Sequence, residues 1–154
     1  MARWMVAAMV GLILVGNGLA QDGTTRYGTL DFNDQGVLSF KGREIHPKIE
    51  HAYLGETYRM GATDVVLVTK EGGSGCPVVY FLVSVTKEGA TSTPYVGTCQ
   101  QAKSIERHGD TIIFTMQGFQ GPFEPEEKRQ KAFHETHVFV FKDGKVTDNG
   151  KPLQ

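Results

Sequence analysis

The stretch GGSGCPVVYFLVSVTKEGATSTPYVGTC, residues 72–99, holds both cysteines of the chain and decides how the rest is read. Its glycine-rich opening suits an active-site turn carrying Cys76 as a nucleophile. Its remainder suits a β-hairpin that the two cysteines bracket. Residues 77–86 and 90–98 are joined by Lys87-Glu88-Gly89, and pairing about a centre between Lys87 and Glu88 sets Cys76 opposite Cys99. In that register Val79, Phe81, Val83 and Val85 share one face, and Val78, Tyr80 and Leu82 share the other with the cysteines. Both faces are apolar, the signature of an interior strand. A three-residue loop with a glycine bulge shifts the pairing by one and separates the cysteines, unless an irregularity near Pro94 restores it.

An even pair of cysteines bracketing one hairpin in an exported chain predicts the disulfide Cys76–Cys99. On the chain-entropy model, closing such a loop stabilises the fold by about 3 kcal/mol. A catalytic cysteine needs a strand, nucleophile, helix order and a partnering base, whereas Pro77 here begins a strand. Gly73-Ser74-Gly75 likewise lacks the full G-x-S-x-G elbow, and no GK[ST] follows the glycines to make a phosphate cradle. The sequence thus assigns no catalytic residue and no cofactor.

Outward from the hairpin, alternation and turn chemistry dominate. Residues 27–32 and 37–40 flank Asn33-Asp34-Gln35-Gly36, residues 111–117 follow the turn at 107–110, and residues 136–141 meet 145–147 across Asp143-Gly144. Residues 63–70, TDVVLVTK, are almost continuously β-branched or apolar, which suits a strand covered on both faces. Nineteen glycines, mostly between apolar runs, fit many tight turns. These features predict an all-β fold, an antiparallel sandwich or small barrel of about eight or nine strands. One segment departs from the pattern. Residues 121–133, GPFEPEEKRQKAF, place Pro125 and acids ahead of bases, which predicts one short helix or long ordered loop.

The first twenty residues, MARWMVAAMVGLILVGNGLA, have the basic, apolar and small-residue layout of a secretory signal peptide, with cleavage expected after Ala20. The apolar run is too short for a membrane span before Gly16-Asn17-Gly18 interrupts it. A single β-rich domain over residues 21–154 is expected outside the cytoplasm, periplasmic or secreted, with no stable membrane insertion. Removing Arg3 leaves 15 basic against 17 acidic residues, a net charge of −2, with no basic stripe to suggest a nucleic-acid partner.

Chemistry elsewhere is sparse. His134 and His137, in HETH, share a face only on a helix; on a strand they diverge, so no metal site is assigned. A hydrolase or metal-dependent enzyme using either histidine is one alternative, and a barrel carrier with a pocket lined by Tyr80 and Leu82 is another. The leading expectation is a non-enzymatic binding module for a protein or other envelope macromolecule, of inhibitor or immunity type. Its candidate binding residues are Phe119, Phe123, Glu126 and Arg129, in the excursion that mixes aromatics with charge.

Overall fold

The computed structural model describes residues 23–46 and 48–153; the candidate leader at 1–20 lies outside them. Three antiparallel sheets make up the molecule. The first contains β1 (Thr24–Thr25), β2 (Gly28–Phe32), β3 (Leu38–Phe40) and β4 (Arg43–His46) in that order. The second contains β5 (Ala52–Met60), β6 (Thr63–Glu71), β7 (Val78–Val85) and β8 (Ala90–Ser92), also in chain order. The third runs in reverse, from β13 (Lys151–Pro152) through β12 (Lys145–Asp148), β11 (Thr136–Lys142) and β10 (Thr111–Gln117) to β9 (Ser104–His108). Among the described residues one helix forms, α1 (Glu126–His134), which connects β10 to β11.

The second sheet lies between the other two, because its strands carry apolar side chains on both faces. In β6, Val65 and Leu67 join a core with Ile112, Phe114, Phe139 and Phe141 of the third sheet. Their neighbours Val66 and Val68 point the other way, into a core with Leu30, Leu38 and Phe40 of the first sheet. Strand β7 repeats the division: Tyr80 and Leu82 face the third sheet, whereas Phe81, Val83 and Val85 face the first. The two faces read in the hairpin sequence are therefore the inner walls of two separate cores. The all-β class holds as a three-layered sandwich rather than a barrel. More strands form than the sequence suggested, several of them only two to four residues long.

The disulfide hairpin keeps the expected register near its tip, where Val85 pairs Ala90 and Val83 pairs Ser92. Thr86 and Gly89 close a two-residue turn through reciprocal backbone hydrogen bonds. Beyond Pro94 the pairing has slipped by one residue, to Tyr80 opposite Val96. At the slip the Thr93 hydroxyl accepts from the Leu82 N–H at 3.1 Å and donates to the Pro94 carbonyl at 2.8 Å. A side chain thus satisfies buried backbone groups that a continuous ladder would have paired. Cys99, at φ 68°, turns the chain back so that its Cα lies 4.6 Å from that of Cys76 and the bond closes.

One charged group is buried within the central sheet. Asp64 is fully buried, and Arg26 of the β1–β2 turn holds it through its backbone N–H at 2.6 Å and its Nε at 2.8 Å. The same guanidinium donates to the carbonyls of Gly61 and Thr63, which pins the first sheet to the β5–β6 turn.

Two stability measurements check this layering. Phe81→Ala and Leu82→Ala, adjacent residues on opposite faces of β7, should each lower the unfolding free energy by about 3 kcal/mol. A near-neutral result at either position would mean that its face is solvated. Arg26→Ala should destabilise through the carboxylate it leaves buried and unpaired, and the double variant Arg26→Leu/Asp64→Leu should recover part of that loss in denaturant melts.

Candidate functional site

The departure from regular sheet at residues 118–135 begins and ends on the middle of the third sheet. Strands β10 and β11 pair fully up to Gln117 opposite Thr136, and the Gly118 N–H then donates to the Glu135 carbonyl at 3.0 Å. Gly118 is required here by close approach: a Cβ at this position would meet the Ala132 carbonyl oxygen at 2.4 Å. Helix α1 therefore docks by its last turn directly onto backbone. Ala132 is its only buried residue, and the rest of the helix faces solvent.

The helix forms for local reasons. Pro125 precedes it in an extended conformation (φ −52°, ψ 143°), Glu126 and Glu127 occupy the positive end of the helix dipole, and Lys131 and His134 occupy the negative end. Lys128 pairs with Glu124 at 3.2 Å, and Arg129 with Glu126. Hydrogen bonding from the Gln130 amide, and then the charge of Arg129, hold the Glu126 carboxyl below the usual carboxylate range. Glu126 and Arg129, both read as candidate binding residues, thus neutralise each other on the helix surface. Pairs of this exposure add little to stability, which leaves them available to exchange partners.

The two phenylalanines of the excursion differ. Phe119 is half-buried, whereas Phe123 is 94% exposed, and Phe133 at the helix end is 47% exposed. An aromatic so completely solvated on a short loop is uncommon for a residue type that folding usually buries. The aromatic rings could instead have tucked back over the open end of the sandwich; Phe123 does not.

The root of this excursion is braced from the disulfide hairpin. The Thr98 hydroxyl, one residue before Cys99, donates to the Gln117 carbonyl. The Gln117 side-chain amide in turn donates to the Phe133 carbonyl at 3.0 Å. A chain of contacts therefore runs from the Cys76–Cys99 bond through Thr98 and Gln117 to the C-terminal turn of α1. Thr98, Gln117, Gly118 and Ala132 escaped the sequence reading, because a residue at the end of a strand gives no periodic signal of what it supports.

The remaining candidates separate. Both cysteines are in the disulfide, a bond of the kind that oxidising, extracytoplasmic compartments maintain. Ser74 lies in a tight turn closed by the Cys76 N–H on the Gly73 carbonyl, and a strand follows. His134 ends the helix with its ring against Phe133. His137, on β11, stacks on Phe139 and holds both carboxylate oxygens of Asp148 at 3.0 and 3.1 Å. Among the described residues no group of three or more His, Cys, Asp or Glu side chains is placed to hold a metal ion. Tyr80 and Leu82, assigned to a pocket in the carrier reading, are packed in the core instead, with the Tyr80 ring 5.7 Å from that of Phe114. No helix among the described residues is long and apolar enough to cross a membrane. No protein-family model matches the chain, and no curated protein or solved structure matches it either.

The brace gives a measurable outcome. Cys76→Ser/Cys99→Ser should lower the unfolding free energy by about 3 kcal/mol. In hydrogen exchange the loss of protection should extend beyond residues 76–99 into 132–135. Protection at 132–135 unchanged from wild type would break the proposed link between the bond and the helix.

Proposed function

We propose that this protein is an exported, non-enzymatic binding module, released by cleavage after Ala20, that recognises a macromolecular partner through the 118–134 excursion. The observation that carries the reading is Phe123, held almost wholly in water at the tip of a segment whose root is fixed. Leaving a phenylalanine exposed forgoes roughly 1.5–3 kcal/mol of transfer free energy, which a partner pocket would supply on association. The same excursion carries Phe133, half-exposed, and the paired charges of Glu126 and Arg129, which would supply a polar rim to an aromatic anchor.

Two further observations support a binding role. The disulfide and the backbone docking at Gly118 hold the excursion in one place, which lowers the ordering cost of association. The cysteines, which offered the most direct route to nucleophilic chemistry, are bonded to each other. In this reading the protein is of inhibitor or immunity type and would present a fixed aromatic anchor from a rigid body.

The test uses the mature protein as bait against the extracytoplasmic fraction of its host. Phe123→Ala should weaken capture of a specific partner by about tenfold or more, the effect of losing an interface hot spot. Its unfolding free energy should stay within about 0.5 kcal/mol of wild type, as for other surface substitutions. Capture that survives Phe123→Ala unchanged would overturn the reading, and so would a collapse of stability.

A further inference from the structure

The end of the molecule opposite the excursion holds a second feature. Five of the hairpins that turn there are β3 to β4 at Lys41-Gly42, β5 to β6 at Gly61-Ala62, β7 to β8 at Lys87-Glu88, β9 to β10 at Gly109-Asp110, and β11 to β12 at Asp143-Gly144. Residues from every one of these turns border a cleft of about 940 Å³. Its size falls in the range of small-molecule sites. Met60, Val65 and Phe141 lie behind its inner wall, almost wholly covered, and Ile45, Ala62 and Ala90 contribute apolar surface that is open to it.

The charges around the cleft are sorted by sheet. The first sheet supplies Lys41, Arg43 and Glu44, a net positive charge. The third sheet supplies Asp110 and Asp143, both negative. Between them the central sheet supplies Lys87 and Glu88, which pair with each other at 3.6 Å and cancel. The sheet that lies in the middle of the fold thus separates a positive lip from a negative one. Both lips are rigidly presented. Lys41-Gly42 and Asp143-Gly144 are each a two-residue turn with consecutive left-handed residues, at φ 50° and 73° and at φ 51° and 74°. That is the type I′ geometry that holds a hairpin tip without slack.

A cleft with opposed charges and an apolar floor selects a ligand with opposed charges and an apolar middle. A purely anionic ligand meets Asp110 and Asp143, and a purely cationic one meets Lys41 and Arg43; each gains on one side what it loses on the other. We propose that this cleft binds a short zwitterionic peptide, its ammonium group toward Asp110 and Asp143, its carboxylate toward Lys41 and Arg43, and its side chains over the apolar surface of Ile45, Ala62 and Ala90. This site is independent of the one around Phe123. The two lie at opposite ends of β10, seven residues and about 20 Å apart.

The experiment is an NMR titration of the isotope-labelled mature protein with tetraalanine bearing free termini, beside acetyl-tetraalanine-amide, which has the same apolar body and no charge. Free tetraalanine should give saturable shifts at residues 41–43, 61–62, 87–89, 110 and 143, with a Kd in the millimolar range or below. The capped peptide should bind about tenfold more weakly. Asp143→Asn and Lys41→Asn each remove one charge while keeping a residue type that tolerates the left-handed turn, and each should weaken the free peptide but leave the capped one unchanged. Phe123→Ala should alter neither titration, which separates this site from the partner-binding surface. Absence of saturable shifts overturns the proposal. Equal binding of the two peptides also overturns it, by showing an apolar groove that does not read charge. A loss on Asp143→Asn with none on Lys41→Asn overturns the dipolar assignment.

Discussion

The fold depends on a sheet that has no polar face. Over Val65–Val68 every side chain of β6 is buried, alternate residues going to opposite cores, and β7 does the same over Tyr80–Val83. A sheet of this kind cannot rest in water on either side, so it requires a cover on each. The first and third sheets are those covers, and their own outer faces are free to be polar. The burial pattern of β10, alternating half-buried and buried along its whole length, records a strand with only one face to hide. The ends of the three layers then coincide, which gathers six hairpin turns at one end and the disulfide with the excursion at the other.

That central constraint was legible in the sequence, and its consequence was not. The continuous apolar run of TDVVLVTK and the two apolar faces of the 78–85 strand both announce an interior position. They do not say that the covers come from separate segments, one before and one after, because nothing in the alternation of β2 or β10 specifies which face of a distant strand it meets. The turns at Asn33–Gly36 and Asp143-Gly144 were readable from their own chemistry. Strand β5 was not: the register shifts by one between Leu54 and Thr57, so Ala52 and Leu54 pack toward the first core while Tyr58 and Met60 pack toward the second. A bulge of this kind breaks the two-residue period on which strand recognition rests. The excursion was readable in outline from Pro125 and its flanking charges, with the helix itself starting at Glu126. That Phe123 would stay in solvent and Phe119 would be half-covered depends on the docking of Ala132 against Gly118, a contact that no local pattern encodes.

Each end of the sandwich is secured by a different device. At the turn end, Asp64 would be prohibitive in an apolar sheet were it not met by Arg26 through both backbone and side chain. An apolar pair in its place could pack as well, but would not fix the register of the first sheet against the β5–β6 turn as directional hydrogen bonds do. At the opposite end the constraint is covalent, and Thr98 and Gln117 pass it to the base of the excursion. The Thr93 hydroxyl plays a lesser part of the same kind, allowing the strand after Pro94 to change register without orphaning buried backbone. Asp64 and the Thr93 hydroxyl, two of the buried polar groups, each sit where a sheet or strand must be held in a single alignment.

Rigidity beneath and exposure above distinguish the excursion from a loose loop. A flexible loop carrying a phenylalanine loses, on binding, much of what burying the ring gains, since backbone ordering costs about 1–2 kcal/mol per residue. Here most of that ordering is already done by folding: the helix is closed by its own charges, its last turn rests on Gly118, and the strands on both sides are paired to their ends. The ring of Phe123 and part of Phe133 remain in water, so their apolar transfer free energy is not realised in folding and, under the proposed function, would be realised on association. The helix buries little of itself because its sequence, EEKRQKAFH, carries no apolar stripe: Ala132 is its one buried residue, and a stripe packed on the third sheet would have added stability.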